Sequence, residues 1–214
     1  MKGGFDRLAA HYRAWEFLAF GRDLERTRFA GLPALAEHES ILILGEGDGR
    51  CLARLLELAP RARVHCVDFS PAMLERARSR LREADLGRVQ FECADGRTVA
   101  LAPLRYDAVL TLFFLDCFTA ADVERIVQRV SAALRPNARW LFADFVLPAA
   151  GWRRWRGRAW LGLLYTFFRW QTRLEARELP PSEAILAAAG WCPERIQEFQ
   201  SGLLRSVVLS RMPR

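Results

Sequence analysis

A run of four apolar residues, 41–44, leads directly into a turn that has glycine at every second position from 45 to 49. A short apolar run that ends at glycines is typical of a central parallel strand buried on both faces. The next residues repeat apolar side chains at helical spacing until Pro60, which predicts a helix directly after the turn. Backbone N–H groups and the positive end of that helix surround the turn, so we expect it to hold a polar or anionic ligand group.

The same alternation of strand and helix continues along the chain. Ser70 and Pro71 have the residue types of an N-cap and a first helical position, and Thr119 with Asp122 resembles a capping box. Four further segments are predicted to be strands because they are short and apolar: 64–67, 89–93, 107–113 and 140–145.

Strands that alternate with helices predict βαβ units, and therefore an α/β fold with a doubly wound, mostly parallel sheet and helices on both faces. A helix at 181–189 and two late strands, at 196–199 and 206–210, are expected to finish the sheet as a hairpin. In sheets of this kind, ligands bind beyond the carboxyl ends of the strands.

The length of 214 residues favours one domain with a single sizeable core. Residues 1–38 precede the first strand and carry apolar and aromatic side chains at helical spacing, so we interpret them as an N-terminal helical lid. Residues 39–214 are expected to form the ligand-binding domain, with an aromatic and arginine-rich insertion at 151–178 that covers a substrate.

Charge is distributed unevenly along the chain. Of the formal net charge of +7, residues 151–214 carry +6, so an anionic partner is expected to meet the C-terminal part. Lys2 is the only lysine, which excludes a mechanism that needs an interior lysine.

The five cysteines have neither a Cys-x-x-Cys pair nor a spacing typical of metal ligands, so we expect reduced thiols and no metal. The first residues lack the apolar core of a signal peptide, and the longest uncharged run near the tail, 159–168, is too short to span a bilayer. The expected location is the cytoplasm.

The spacing between the glycine turn and the next acidic strand end indicates a ligand contact. Asp68 lies 23 residues after Gly45, at the end of the second predicted strand, where a carboxylate can accept hydrogen bonds from both hydroxyls of a ribose. The alternative is that Asp68 only caps the next helix, a role that Ser70 already fills. Asp95, in a turn after the third strand, is a candidate for contact with an adenine amino group, unless that segment is an ordinary turn.

A dinucleotide site fits these residues less well. Its fingerprint requires a glycine where this chain has Arg50, so the pattern is GxGxG instead of GxGxxG. The tyrosine-lysine pair of many short-chain dehydrogenases is also excluded, because Lys2 is the only lysine. The spacing therefore favours a sulfonium nucleoside.

Four motifs together resemble those of the class I S-adenosylmethionine-dependent methyltransferases in order and spacing: ILILGEGDG at 41–49, VDFSPAML at 67–74, Ala94-Asp95 and YDAV at 106–109. The resemblance covers roughly residues 38–147. Later segments are similar to the ubiquinone/menaquinone-type small-molecule branch of that family: 134–137, 144–145, the region of Tyr165 and 188–191. The resemblance implies a seven-stranded Rossmann-like sheet and S-adenosylmethionine as the cofactor.

The cofactor-binding residues expected on this basis come from the glycine turn, the ends of the next strands and the N-terminal lid. They are Gly45, Glu46, Gly47, Gly49, Asp68, Phe69, Met73, Ala94, Asp95, Gly96, Thr111 and Tyr12.

The chain departs from the family pattern at one position of the first strand. The family usually carries an acidic residue two positions before the first glycine, where this chain has Ile43. Glu46 is a candidate to compensate by meeting the ammonium group of the cofactor, and a solvated glutamate is the alternative.

Methyl transfer from a sulfonium is an in-line displacement that needs alignment, exclusion of water and, for a poorly ionised acceptor, a base. Asp116 is the candidate catalytic base, because it is a lone carboxylate among apolar and aromatic residues just beyond the fourth strand. The alternative is a carboxylate that caps a turn or pairs with an arginine. Residues expected near the acceptor are His11, Phe114, Asp144, Tyr165 and Arg169, with Asp144 as the second carboxylate on this rim.

The insertion begins with a basic half and continues with an apolar half. Tryptophan and arginine together at 151–170 suit an interfacial helix on anionic lipid or a cover for a hydrophobic acceptor, and the alternative is an aromatic face packed on the domain. Peripheral membrane contact is thus one interpretation of this segment.

The sequence predicts an enzyme that moves a methyl group from S-adenosylmethionine to oxygen, nitrogen or an activated carbon of a small, hydrophobic acceptor. One alternative is a protein of the same fold that binds the cofactor without turnover, suggested by Ile43. A nucleic-acid methyltransferase is less favoured, because the chain lacks the Asn/Asp-Pro-Pro-aromatic tetrapeptide after the fourth strand. No sequence signal indicates an oligomeric state or a particular acceptor.

Overall fold

A seven-stranded sheet forms the centre of the computed structural model, which describes residues 22–147 and 179–211. The strands are β1 (Ser40–Leu44), β2 (Arg63–Asp68), β3 (Val89–Cys93), β4 (Tyr106–Leu112), β5 (Leu134–Phe145), β6 (Trp191–Phe199) and β7 (Leu204–Arg211). The α-helices are α1 (Asp23–Ala30), α2 (Arg50–Leu58), α3 (Pro71–Arg80), α4 (Glu83–Leu86), α5 (Ala120–Ala133) and α6 (Ser182–Ala188). Short 3₁₀ turns occupy Leu32–Leu35, Leu115–Cys117 and Gln200–Gly202.

The strands lie in the order β3-β2-β1-β4-β5-β7-β6. The first five run parallel, whereas β7 is antiparallel to both β5 and β6. The predicted doubly wound, mostly parallel sheet with a closing hairpin is therefore confirmed. Because the chain winds outward in opposite directions from β1 and β4, a crevice opens beyond their carboxyl ends.

Strand β1 is buried on both faces, as its unbroken apolar sequence predicts. Ile41 and Ile43 belong to a core formed with α2, α3 and the 3₁₀ turn Leu32–Leu35. Leu42 and Leu44 belong to the opposite core, formed with α5 and α6. Successive side chains of β1 point to opposite faces of the sheet, so the helices that pack on them form two layers, one on each face.

Two helix starts agree with the predicted capping residues. The Ser70 hydroxyl accepts a hydrogen bond from the backbone N–H of Met73 at 3.3 Å, with Pro71 as the first residue of α3. The Thr119 hydroxyl accepts one from the N–H of Asp122 at 3.3 Å, before α5. These side chains satisfy N–H groups that have no partner inside the helix.

Strand β5 begins earlier than the sequence predicts. Tyr106 pairs with Leu134, but Ala108 pairs with Arg139, so two steps along β4 correspond to five along β5. The extra residues bulge outward, and the exposed Pro136 and Asn137, predicted as a turn before the strand, lie within this irregularity.

Among the strands of the described residues, β6 forms one edge of the sheet, and it is also longer than predicted. Its register against β7 shifts between Pro193 and Arg195, and the residues from 193 to 196 are exposed. Trp191, at its start, is buried against Trp140 of β5, with ring centroids 5.3 Å apart.

The described part of the N-terminal region, residues 22–38, contains α1 and the first 3₁₀ turn. Helix α1 packs through Leu24 on Phe145, Leu203 and Leu204 at the end of the sheet that carries β7. The rest of the predicted lid and the insertion at 151–178 lie outside the described residues.

Among the residues from 22 to 147 and from 179 to 211, no helix is long and apolar enough to cross a membrane.

Two glycines of the turn after β1 differ in how much space surrounds them. Replacing each of them with alanine should therefore lower the free energy of unfolding by different amounts. Gly47 has φ +73° and nothing within 4 Å of an added Cβ, whereas Gly49 has φ +85° and an added Cβ would lie 2.5 Å from Cα of Ala77. We expect Gly47→Ala to lower the free energy of unfolding by about 1–2 kcal/mol through backbone strain alone. Gly49→Ala should cost at least about 3 kcal/mol, because α3 must also move. Urea unfolding of both variants tests this order, and equal losses would contradict it.

Candidate functional site

A cavity opens beyond the carboxyl ends of β1, β2 and β4, where the topology predicts a ligand site. It encloses about 990 Å³, including the open solvent at its mouth. Its described walls consist of the glycine turn, the ends of β2 and β4, and the loops that follow β3 and β4. The lining residues are Arg28, Gly45, Glu46, Gly47, Asp48, Val67, Asp68, Phe69, Met73, Ala94, Asp95, Gly96, Leu112, Phe113, Phe114, Cys117 and Phe118.

The glycine turn is held against β2 and lies close to an aromatic ring. The N–H of Gly45 donates to the carbonyl of Val67 at 2.9 Å. A Cβ at Gly45 would lie 2.4 Å from the Phe114 ring, and one at Gly96 would lie 2.7 Å from the same ring. Phe114 therefore fills the space between two glycine-containing loops, and a side chain at either position would displace its ring. Gly45 also has a φ of +72°, which favours glycine.

Asp68 lies at the end of β2 and joins two loops through its carboxylate. Oδ2 accepts a hydrogen bond from the N–H of Gly47 at 3.2 Å, and Oδ1 accepts one from the N–H of Ser70 at 2.9 Å. The carboxylate is buried but lines the cavity. Since each carboxylate oxygen can accept more than one hydrogen bond, this position is chemically able to receive ribose hydroxyls as well.

Asp95 also lines the cavity, but an arginine holds its carboxylate. The Arg97 guanidinium donates to both oxygens, with a shortest distance of 2.7 Å, and the backbone N–H of Arg97 donates to Oδ1 at 2.9 Å. These hydrogen bonds keep the pKa of Asp95 below its ordinary value. A carboxylate that stays ionised remains an acceptor suited to an amino group.

Glu46 is turned inward, so the solvated alternative is wrong. Its Oε1 accepts a hydrogen bond from the N–H of Leu52, in the first turn of α2, at 2.9 Å. Its Oε2 is buried and has no hydrogen-bond partner among the described residues. Burial raises the pKa of Glu46 from 4.5 to about 8. The carboxyl is therefore mostly protonated near neutral pH when the cavity holds no cation.

Asp116 lies in the 3₁₀ turn Leu115–Cys117, directly after β4. Its neighbours Phe114, Cys117 and Phe118 line the cavity, and its Oδ1 lies 3.6 Å from the Cys117 thiol. Burial raises the pKa of Asp116 to about 6, an unusual value for a carboxyl and one suited to exchange a proton near neutral pH.

Asp144 is placed differently from its predicted role at the acceptor. It is 1% exposed, and its oxygens accept the backbone N–H groups of Asp116 at 3.1 Å and Phe145 at 2.9 Å. Burial, followed by the nearby Asp116 charge, raises the pKa of Asp144. Its contacts make it a support for the turn that carries Asp116, and it is not among the residues that line the described cavity.

Two predicted cofactor residues also lie away from the cavity wall. Thr111 is fully buried, and its hydroxyl accepts the indole N–H of Trp140 at 2.8 Å, so it stabilises the sheet beneath the site. Gly49 begins α2 with a positive φ and packs against Ala77 of α3. Neither residue lines the described cavity, so contact of either one with the cofactor stays a prediction.

Arg28 lines the cavity, although no sequence signal predicts it as a site residue. It lies in the last turn of α1, with its guanidinium carbon 5.3 Å from the centroid of the Phe113 ring. Its positive charge opposes the rise in the pKa of both Glu46 and Asp116. No motif distinguishes Arg28 from Arg26, the other arginine of this helix, because only packing turns Arg28 towards the cavity.

The structure brings together ten of the predicted site residues at this cavity: Gly45, Glu46, Gly47, Asp68, Phe69, Met73, Ala94, Asp95, Gly96 and Phe114. Four others, His11, Tyr12, Tyr165 and Arg169, lie outside the described residues.

Comparisons with known proteins agree with this arrangement of strand, turn and cavity. The family described as "Methyltransferase domain" matches residues 41–137. A demethylmenaquinone methyltransferase of Deinococcus radiodurans is 30% identical over 135 residues, which cover 63% of this chain and 55% of that protein. A 6-hydroxytryprostatin B O-methyltransferase of Aspergillus fumigatus is 33% identical over 113 residues, covering 53% of this chain and 32% of that protein. The chain thus spans about a third to a little over half of the length of these curated relatives.

Solved structures share the fold at low sequence identity. The Burkholderia thailandensis 1,6-didemethyltoxoflavin-N1-methyltransferase, solved with bound 1,6-didemethyltoxoflavin and S-adenosylhomocysteine, has a TM-score of 0.66 and 22% identity, covering 98% of this chain and 87% of its own. The mitomycin 7-O-methyltransferase MmcR has a TM-score of 0.66 and 22% identity, covering 98% of this chain and 61% of its own. At this identity the likeness supports the fold.

The buried carboxyl of Glu46 predicts a pH dependence of stability. The unfolded chain releases this proton near 4.5 and the folded chain near 8, so the folded state binds more protons between these values. We expect the free energy of unfolding to fall as pH rises through this window, by at most about 1.4 kcal/mol per pH unit from this group.

Glu46→Gln should make the fall with pH shallower, with a residual slope from Asp116 and Asp144, whose pKa values are also raised. Urea unfolding between pH 5 and pH 8 measures the slopes. The exposed Glu57→Gln on α2 is the control and should keep the original slope. An unchanged slope in Glu46→Gln would show that this carboxyl titrates alike in both states.

Proposed function

We propose, on the premise that the chain belongs through residues 41–137 to the class I S-adenosylmethionine-dependent methyltransferases, that it transfers the methyl group of S-adenosylmethionine to a small, hydrophobic acceptor. The observation that carries the proposal is the convergence of the glycine turn, Asp68 and Asp95 on one cavity at the carboxyl ends of adjacent strands. The curated relatives named above are small-molecule methyltransferases. The proposal covers transfer of the methyl group to an oxygen, a nitrogen or an activated carbon of the acceptor.

The cavity walls fit this cofactor in their chemistry. Gly47 leaves open space next to the turn, so a ligand can approach the backbone closely. Asp68 supplies carboxylate oxygens for ribose hydroxyls, and Asp95 supplies them for the adenine amino group. Glu46 presents a buried oxygen without a described partner, which suits a cationic group. Phe69 and Met73 add apolar surface beside these acids.

When bound, the cofactor supplies an electrophilic methyl group on a sulfonium. The protein then has to align the acceptor, exclude water and, where the acceptor is poorly ionised, remove a proton. Phe113, Phe114 and Phe118 form an aromatic wall beyond β4 that excludes water and favours an apolar acceptor. Arg28, at the same wall, supplies a positive charge for an acceptor that develops negative charge.

Asp116 is the proposed base for such an acceptor. Its ionised form accepts the acceptor's proton, and a pKa of about 6 makes that form prevalent at neutral pH while keeping it a stronger base than an ordinary aspartate. Asp144 holds the backbone of this turn through the N–H of Asp116, so it positions the base without contacting the acceptor.

We further propose a cytoplasmic location and a cover for the acceptor formed by the insertion at 151–178, with residues 1–38 as the lid. Contact of residues 151–170 with anionic lipid is the alternative use of that segment. His11, Tyr12, Tyr165 and Arg169 belong to these segments and stay predictions.

The proposed ribose contact predicts a loss of cofactor affinity in Asp68→Ala. Hydrogen bonds to a charged group contribute about 1.5–3 kcal/mol, so the Kd for S-adenosylhomocysteine should rise about 10- to 100-fold. Asp107→Ala is a matched control, because Asp107 also accepts two backbone N–H groups but lies at the opposite end of β4. Calorimetry measures both variants, and thermal unfolding shows that each is folded. Binding of NADH in place of S-adenosylhomocysteine would overturn the cofactor assignment.

The proposed base predicts a pH profile for methyl transfer. With isotope-labelled cofactor and a panel of lipophilic phenols, quinols and amines, kcat/KM should rise with pH through about 6 and then level off, because the base acts when deprotonated. Asp116→Asn should lower kcat by about 10²–10⁴-fold and remove this rise, while the Kd for S-adenosylhomocysteine stays within a few-fold of the original.

Glu124→Gln, an exposed acid on α5, is the control for this prediction and should leave the pH profile unchanged. A rise with pH that persists in Asp116→Asn assigns the base elsewhere. Tight cofactor binding with no transfer to any member of the panel would favour the non-catalytic alternative that Ile43 suggests.

A further inference from the structure

The glutamate of the glycine turn is an acid with spare hydrogen-bonding capacity inside the cavity. Four described carboxylates line that cavity, and three of them have their partners within the protein. Asp48 lies 3.0 Å from Arg50 and 3.4 Å from Arg80, Asp95 is held by Arg97, and Asp68 accepts backbone N–H groups. Glu46 uses Oε1 for the N–H of Leu52 and leaves Oε2 buried without a partner in the described part of the chain.

Glu46 lies near Ile43, the residue of β1 at which the family pattern has an acid. Ile43 occupies that position, is 1% exposed and pairs in register with Cys66 of β2. Burial raises the pKa of the Cys66 thiol and of the Cys51 thiol in α2, and an ionised Glu46 would add to that rise. Glu46 accepts the N–H of Leu52, and Leu52 and Ile43 belong to the same core. The carboxyl of Glu46 therefore lies close to the layer into which residue 43 projects, although it is supplied from the loop instead of the strand.

The groups that face Glu46 are few and come from three neighbouring elements and its own turn. Arg28 of α1 favours its ionised form, whereas Asp48 in the same turn and Asp68 of β2 oppose it. The thiols of Cys51 and Cys66 stay neutral because burial raises their pKa values. Desolvation outweighs the attraction of Arg28, and Glu46 holds its proton to a pKa of about 8.

A cation that arrives beside this carboxyl changes the balance. An ammonium group at hydrogen-bonding distance favours the ionised carboxyl by direct attraction and fills the hydrogen-bonding capacity of Oε2. The carboxylic acid must then lose its O–H proton, because a protonated carboxyl and an ammonium group form a weaker pair than a carboxylate and an ammonium group. The proton passes to the solvent, and no oxidation or reduction occurs.

We propose that Glu46 receives the primary ammonium group of the cofactor's amino acid end, and that it releases its proton to the solvent when that group binds. Glu46 thereby replaces, from the loop, the acid that is absent at Ile43, and cofactor binding becomes coupled to proton release. This inference rests on the proposed function, because it requires that the cavity bind S-adenosylmethionine or its product.

Calorimetry in buffers of different ionisation enthalpy counts the protons released on binding. With S-adenosylhomocysteine at pH 7, the unmodified protein should release about one proton per bound ligand, as expected for a carboxyl that is protonated before binding and ionised afterwards. With 5′-methylthioadenosine, which keeps the nucleoside and lacks the amino acid end, the same protein should release none.

Glu46→Gln should bind S-adenosylhomocysteine about 10- to 100-fold more weakly and without proton release, because a neutral amide keeps an acceptor but cannot ionise. It should bind 5′-methylthioadenosine as the unmodified protein does. Glu57→Gln, the same change on the exposed face of α2, should release the same number of protons as the unmodified protein.

The outcomes separate the two proposals. Failure of S-adenosylhomocysteine to bind the unmodified protein would overturn the proposed function itself. Binding without proton release, or equal release with 5′-methylthioadenosine, would overturn the role of Glu46 and leave the proposed function intact. Release that persists in Glu46→Gln would assign the proton to another group and overturn it as well. The comparison of the two ligands uses only the unmodified protein, so it decides the question even if the variant does not fold.

Discussion

The carboxylate of Asp68 is the interaction on which the geometry of the cavity depends. Its two oxygens accept N–H groups from Gly47, after β1, and from Ser70, before α3. Because β1 and β2 are adjacent parallel strands, these two hydrogen bonds bring two strand ends and the starts of two helices towards one point. The wall of the site is thus organised by the same group that we propose as a ligand contact, and the carboxylate is oriented by the protein before any ligand arrives.

Most of the fold could be predicted because its strongest signals are local. The run at 41–44, the glycines after it and the caps at Ser70 and Thr119 each specify one short element from neighbouring residues. The bulge in β5 could not be predicted in this way, because Pro136 and Asn137 have the residue types of a turn. Their place within the strand depends on pairing with β4, which is a contact distant in sequence.

The candidate site was predictable where a residue's role follows from its place on the backbone. The glycine turn and Asp68 are of this kind, since a strand end determines their position. The sequence places Thr111 and Asp144 at strand ends but does not determine the direction of their side chains, which bind neighbouring groups and do not line the described cavity. Arg28 was missed for the converse reason, since its helix reaches the cavity only through tertiary packing. The inward direction of Glu46 likewise depends on α2, whose Leu52 N–H binds it.

The sequence and register of strand β6 disfavour the pairing of this strand with other chains. An edge strand presents unpaired backbone groups to which a further strand can add. Pro193 has no N–H to offer, the register shift beside it interrupts the regular spacing of hydrogen bonds, and Glu194 and Arg195 place charges on the exposed surface. This border of the sheet is consequently a poor template for aggregation, although it ends a hairpin of two long antiparallel strands.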